Sequence, residues 1–121
     1  MMTPDVVEVS PVDLKRRLEA GERLLLLDVR EPAERAYNSI PVPEGTPDLH
    51  LPMGQIVDSI ETIRVHVASA AAPVIVYCHH GVRSMAVAQW LSAQGITNIY
   101  NLQGGIDAYS LQADKSVPRY W

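Results

Sequence analysis

Only one cysteine occurs in the 121 residues, Cys78, and its solitude excludes more than any other feature of the composition. An internal disulfide is impossible, and a thiol-rich zinc site lacks its second ligand. No resolving thiol exists in the chain, so an oxidised or sulfur-loaded Cys78 must be discharged from outside. Long apolar runs are also missing, and no segment approaches the roughly 20 residues of a membrane-spanning helix. Met1-Met2-Thr3-Pro4-Asp5 has no basic region followed by an apolar stretch. A reduced, cytoplasmic setting without membrane contact is the expectation. Positive charge is not in excess either: the formal net charge is −4, with acids and bases interspersed. Nothing resembles a basic nucleic-acid stripe. Lys15, Arg16 and Arg17 cluster on a predicted helix and read as a solvated face. Internal repeats and low-complexity tracts are absent.

What is present suffices for one domain. A chain of this length, 47% hydrophobic, buries a core without disulfide or metal support. Val6 to Val9 is a strand candidate. Ser10-Pro11 supplies a helix cap with proline at the first position, and Val12, Leu14 and Leu18 an apolar stripe that ends at Gly21. Leu24 to Leu27 is unbroken apolar sequence leading into Asp28, as expected of a strand covered on both faces. Pro32 opens a short helix, and residues 38–50, with Pro41, Pro43, Gly45 and Pro47, read as an irregular loop. His50-Leu51-Pro52 is a brief, edge-like strand. Ile56, Ile60, Ile63 and Val67 recur at helical spacing. Pro73 introduces the strand Val74 to Tyr77, and a helix carrying Met85, Val87, Ala88, Trp90 and Leu91 runs to Gly95, with Trp90 in the core. Asn98 to Leu102 is the last strand, Gly104-Gly105 a turn, and Ile106 to Tyr109 a short helix. The core spans about 9–112, and 113–121 is a tail of little periodicity. Strands alternating with helices predict a parallel α/β sheet covered on both faces, with its ligand site at the carboxyl ends of the strands.

Two residues stand at such ends, Asp28 and Cys78, which places both at one cleft. Cys78 closes a buried strand and opens the polar run His79-His80-Gly81-Val82-Arg83-Ser84, beyond which a helical pattern begins near Ser84. A turn of this kind points successive N–H groups inward on the positive end of a helix dipole. A lone cysteine in an apolar chain is commonly a small core residue. This one borders flexible, polar sequence beside an arginine, and so reads as a nucleophile held as its thiolate. The amides from His79 through Ser84 form the expected anion cradle. Arg83 either supports the thiolate electrostatically, caps the helix or pairs with Asp28. His79 and His80 supply backbone amides while their side chains tune the rim; direct acid–base work is the alternative, and a shared metal is disfavoured because adjacent residues in a tight loop seldom converge on one ion. Gly81 serves a positive φ or a close backbone approach. Asp28 and Arg30 read as a structural ion pair beneath the cleft, with substrate contact as the alternative. Tyr109, Tyr120 and Trp121 cover the sheet or the cleft edge, and Trp121, if exposed, marks a docking patch.

The run Leu26-Leu27-Asp28-Val29-Arg30-Glu31-Pro32-Ala33-Glu34 resembles the early signature of the rhodanese-like sulfurtransferase domains. Cys78-His79-His80-Gly81-Val82-Arg83-Ser84 is similar to their active-site loop. Asn101-Leu102-Gln103-Gly104-Gly105-Ile106-Asp107-Ala108-Tyr109 resembles their late glycine turn, and Val117-Pro118-Arg119-Tyr120 the close of some single-domain members. The resemblance runs from about Val9 to Tyr120. The chain departs from the family at Tyr37-Asn38-Ser39-Ile40-Pro41-Val42 and the proline-rich stretch after it. It then rejoins a Pro-Met-Gly-containing subgroup at Leu51-Pro52-Met53-Gly54-Gln55-Ile56. The altered segment bears on which donor or acceptor fits.

The resemblance implies a single rhodanese-like α/β domain with a central five-stranded parallel sheet. It also implies sulfur transfer from a donor such as thiosulfate or a persulfide, through a Cys78 persulfide, to cyanide, a thiol or a protein cysteine. No cofactor and no metal are implied. A persulfide carrier in a protein sulfur relay is the near alternative, and a non-catalytic module that binds a partner or senses redox state is the distant one. Related phosphatase and arsenate-reductase loops have one residue more between cysteine and arginine. The tighter loop here favours a sulfur atom over a phosphate ester.

Overall fold

The computed structural model describes residues 6–120. Trp121, and the docking patch read for it, lie outside the described residues. Five parallel strands, β1 (Val6–Val9), β2 (Leu25–Asp28), β3 (Asp48–His50), β4 (Val74–Tyr77) and β5 (Ile99–Leu102), form one sheet in the order β1-β5-β4-β2-β3. Between them run the helices α1 (Pro11–Glu19), α2 (Pro32–Tyr37), α3 (Ile60–Ala70) and α4 (Val82–Ala93), and α5 (Gly105–Gln112) follows β5.

Side-chain alternation along the buried strands divides the core in two. Leu25, Leu27, Val74 and Val76 face Ile63 of α3 and Val87, Ala88 and Leu91 of α4. Leu26, Ile75 and Tyr77 face Leu14 and Leu18 of α1 and Ile106 and Tyr109 of α5. Cys78 continues the even positions of β4 and therefore falls on the α4 side. Both faces being covered explains why β2 and β4 are apolar almost throughout.

The chain leaves β2 toward β3 and leaves β4 toward β5, in opposite directions. The carboxyl ends of these neighbouring strands thus flank a topological switch point, where open α/β sheets form their clefts. Asp28 is paired in register with Tyr77 there, one residue before Cys78.

Several element ends differ from the sequence reading for local reasons. The irregular loop ends early, because residues 48–50 pair with β2 as the edge strand β3. Past it, the Leu51 and Met53 N–H groups still donate to the Asp28 and Val29 carbonyls, each at 2.9 Å. Ile56 is not in a helix; it follows the single 3₁₀ turn Met53–Gln55 and is buried, and α3 begins at Ile60. Helix α4 starts two residues before Ser84, straight after Gly81. Trp90 is only half-buried, packed against the core's edge. The tail is without helix or strand beyond Ala113 but not loose: Val117 is buried, and the Ser110 hydroxyl donates to its carbonyl at 2.5 Å.

Candidate active site

The loop after β4 is shaped by what takes its carbonyl groups. At the start of α5, the N–H of Ile106 donates to the Cys78 carbonyl at 2.9 Å, and that of Asp107 to the His79 carbonyl at 3.1 Å. These are first-turn donors, which a helix cannot satisfy internally. With those carbonyls drawn outward, the amides further along turn inward. Gly81 N–H donates to Cys78 Sγ at 3.1 Å and Ser84 N–H at 3.3 Å. Gly81 holds φ +95°, and a Cβ there would stand 3.2 Å from the Gly104 nitrogen, so both readings of this glycine apply.

Two of the six expected residues, Gly81 and Ser84, bond the sulfur through their amides; His79, His80, Val82 and Arg83 shape the ring without such a bond among the described residues. The sulfur is no surface group, for Cys78 is 1% exposed. Ser84 has a second task. Its buried hydroxyl donates to Asn101 Oδ1 at 2.5 Å, and the Asn101 amide donates to the Gly81 carbonyl and to Glu8, each at 3.2 Å. Asn101, which the sequence reading placed at the head of the late glycine-turn run without giving it a role, thereby ties β5 to the loop. A polar residue between apolar ones on a buried strand was the available signal.

Arg83 does not pair with Asp28. Its guanidinium forks onto Glu34 of α2, at 2.7 and 2.8 Å. Glu34 also accepts from the Tyr120 hydroxyl at 2.7 Å and from the Glu31 N–H at 3.1 Å. Arg83 above all, then Tyr120, hold its carboxyl down to about 2, against the opposing effect of burial. Glu34 lies inside the early signature, yet no spacing rule connects it with a residue 49 positions on.

Asp28 and Arg30 form the ion pair read from the sequence. Both are 0% exposed, and Arg30 donates to the two carboxylate oxygens at 2.9 and 2.8 Å. Arg30 also donates to Asn38 Oδ1, the Asn38 carbonyl and the Tyr120 hydroxyl. Arg35 joins from the side, bridging Asp28 and Asp48. With the guanidinium 0% exposed and its donors directed at Asp28, Asn38 and Tyr120, the arrangement fits a brace beneath the cleft.

His79 is 8% exposed and lies between two rings, His80 at 3.8 Å and Tyr120 at 3.9 Å between centroids. Its Nε2 donates to the Tyr120 carbonyl at 2.9 Å, and burial lowers its pKa. His80 is exposed, 3.8 Å from Asp107. Contrary to the expectation for adjacent histidines, ligand atoms of His79, His80 and Asp107 lie within 4.8 Å of one another. Two of the three are engaged elsewhere: His79 with Tyr120, and Asp107 with Arg119 at 2.8 Å. Tyr120 is thus the hub of the cleft edge, touching His79, Glu34 and Arg30. Tyr109 lies instead in the core under α5.

A parallel α/β sheet with a buried thiol at its switch point, held by inward-facing amides, defines a class of cysteine-centred anion-loop proteins. Residues 10–112 match the model of the rhodanese-like domain. The chain belongs to the rhodanese-like domain family. It is 34% identical over 105 residues to the putative sulfurtransferase YtwF of Bacillus subtilis, covering 87% of this chain and 91% of that protein. It is 39% identical over 98 residues to the chloroplastic rhodanese-like/PpiC domain-containing protein 12 of Arabidopsis thaliana, covering 78% of this chain but spanning only 30% of that protein's length. Among solved structures, a rhodanese-like domain protein from Staphylococcus aureus superposes with a TM-score of 0.71 at 25% identity, over 95% of this chain and 99% of the other. Family and relatives together support a sulfur-transfer role in general. Among the described residues no helix is long and apolar enough to cross a membrane.

Proposed function

We propose that this protein is a sulfurtransferase that carries a sulfane sulfur on Cys78. The thiolate attacks the outer sulfur of a donor such as thiosulfate. The donor's S–S bond breaks, sulfite leaves with the bonding pair, and a persulfide stands on Cys78. A thiophilic acceptor (cyanide, a thiol or a partner's cysteine) then takes the outer sulfur and returns the thiolate. No external oxidant or reductant enters either half.

The observation that carries this reading is the pair of backbone donors on Sγ, at 3.1 and 3.3 Å. Amides fixed by a helix start and by a glycine do not reorganise when charge moves onto sulfur, and such preorganised donors favour the anion. Gly81, Ser84 and the start of α4 also offer the natural seat for the outer sulfur of a persulfide. Arg83 adds positive charge at the loop, tempered by Glu34. His79, engaged with Tyr120, and His80, on the rim, shape access to the sulfur. The short interval between Cys78 and Arg83 supports a sulfur atom over a phosphate ester.

Intact-mass measurement after incubation with thiosulfate tests the proposal. One added sulfur atom is expected, released by cyanide and absent in Cys78→Ser. No adduct with thiosulfate or any other sulfane donor would instead leave a non-catalytic partner-binding or redox-sensing module. Rapid passage of the sulfur to a protein thiol, with poor turnover on cyanide, would identify a relay carrier.

A further inference from the structure

Arg83 offers the loop's full positive charge, and an incoming anionic donor should seek it. That charge is already taken. Glu34 binds both terminal guanidinium nitrogens, Nη1 and Nη2, in a fork, the geometry in which arginine grips a carboxylate most firmly. The carboxylate is pinned as well as paired, since the Tyr120 hydroxyl and the Glu31 N–H donate to it from other sides. Tyr120 is itself anchored by Arg30 at 3.0 Å and by its stacking on His79. Displacing Glu34 would therefore break its bonds to Arg83, Tyr120 and the Glu31 N–H together.

The surrounding charges are matched in the same way. Asp28 and Asp48 face Arg30 and Arg35, and Asp107 faces Arg119. On the outer side of the loop, Glu8 accepts from Asn101 and adds negative charge there. Among the described residues, Arg30, Arg35, Arg83 and Arg119 around the mouth are thus each paired with a carboxylate, leaving none of them over for a doubly charged ligand.

We infer that Glu34 neutralises Arg83 so as to select against dianionic donors such as thiosulfate, and in favour of a sulfane sulfur of lower charge, carried on a thiol. This inference rests on the sulfur-transfer reading of Cys78. Glu34 is then a specificity-determining residue that acts through Arg83, and Tyr120 is the residue that positions it.

Thiosulfate, a dianion, and benzenethiosulfonate, a monoanion, present the same kind of outer sulfur and differ by one charge. In both the thiolate forms the new S–S bond, the old one breaks, and sulfite or benzenesulfinate departs with the electron pair. The rate of persulfide formation on the full chain is followed by intact mass. Glu34→Gln should raise loading from thiosulfate about tenfold and from benzenethiosulfonate about threefold, since each charge pair near the surface contributes about threefold. Wild-type loading from thiosulfate should change little with salt, whereas that of Glu34→Gln should fall as salt screens the uncovered arginine. Tyr120→Phe should move the donor ratio the same way by less.

An unchanged donor ratio in Glu34→Gln, or equal losses with both donors, overturns the inference and reduces Glu34 to a structural brace. So does a steep fall of wild-type loading with salt, a measurement that stands even if the variant fails to fold. Absence of loading in the wild type from both of these donors and from a thiol persulfide overturns the Cys78 reading itself, which separates the two failures.

Discussion

Gly105 lies so close to His79 that a Cβ on the glycine would stand 2.3 Å from the histidine carbonyl oxygen and 2.6 Å from that of Cys78. Both atoms are backbone, and the His79 carbonyl is also held by Asp107 N–H, so neither can yield cheaply. Gly105→Ala should therefore lower stability by about 2–4 kcal/mol and slow sulfur loading, because the loop must shift with its carbonyls. Gly45 separates crowding from backbone strain. It has φ +90° but nothing within 4 Å of its Cβ position. Gly45→Ala should cost only about 1 kcal/mol and leave loading intact. Urea unfolding of the two variants checks this; equal losses would deny the contact its role.

Arg30 predicts a second asymmetry. Removing its side chain leaves the Asp28 carboxylate, 0% exposed, with Arg35 at 3.3 Å as its one remaining cation and the N–H of residue 30 at 3.1 Å, and also frees the Asn38 and Tyr120 acceptors. Arg30→Met should destabilise by about 3–5 kcal/mol, the usual loss when one member of a buried pair is deleted. Arg30→Lys restores the charge without the planar fork that reaches several acceptors at once, so it should recover only part of the loss. Denaturant midpoints of both variants decide the matter, and a fully restored lysine variant would show that charge alone suffices.

The fold was readable because its strands are local, apolar and bounded by glycine, proline or a cap. Ser10 accepts from the Asp13 N–H as its position predicted, and Leu25 to Leu27 are buried on both faces. Cys78 was legible through a change of sequence character at the end of a strand. The Asp28–Arg30 pair was legible too, since two residues at one strand end have few partners to choose from. The partners of Arg83 were not. Glu34, Arg83 and Tyr120 come from three distant parts of the chain and meet only after the sheet orders itself. Periodicity carries no record of such a meeting. The edge strand β3 was misplaced for a related reason: its three half-buried residues owe their conformation to pairing with β2, not to their own pattern.

His79 gives a prediction in pH. Its Nε2 faces a carbonyl, an acceptor only, so that nitrogen carries the proton and Nδ1 is bare in the neutral ring. Burial is the leading cause that lowers its pKa from the ordinary 6.5. The unfolded chain then takes up a proton before the folded one, so stability should decline as pH falls below 6.5 through the folded value. Above 6.5 both states are neutral and the effect vanishes. Ring nitrogen shifts in a pH titration should place the His79 midpoint below 6.5 with Nε2 protonated throughout. A midpoint at or above 6.5 would contradict the packing between His80 and Tyr120.

Glu34 should respond in acid, with a different window. Its carboxyl is held at about 2 against an ordinary 4.5, chiefly by Arg83, so the folded state favours the ionised form. The stabilisation is fully present above about 4.5 and is lost as pH falls from there toward 2, where the folded state also takes up the proton. The side chain is 19% exposed and Arg83 35%, so solvent screening limits the contribution to roughly 1 kcal/mol. Glu34→Gln removes the titrating group while keeping an acceptor for Tyr120. The stability gap between wild type and variant, measured by urea unfolding at pH 6 and at pH 3, should therefore narrow at the lower pH. A gap that stays constant would mean that Arg83 and Glu34 contribute through shape and hydrogen bonding alone, with no net gain from their charges.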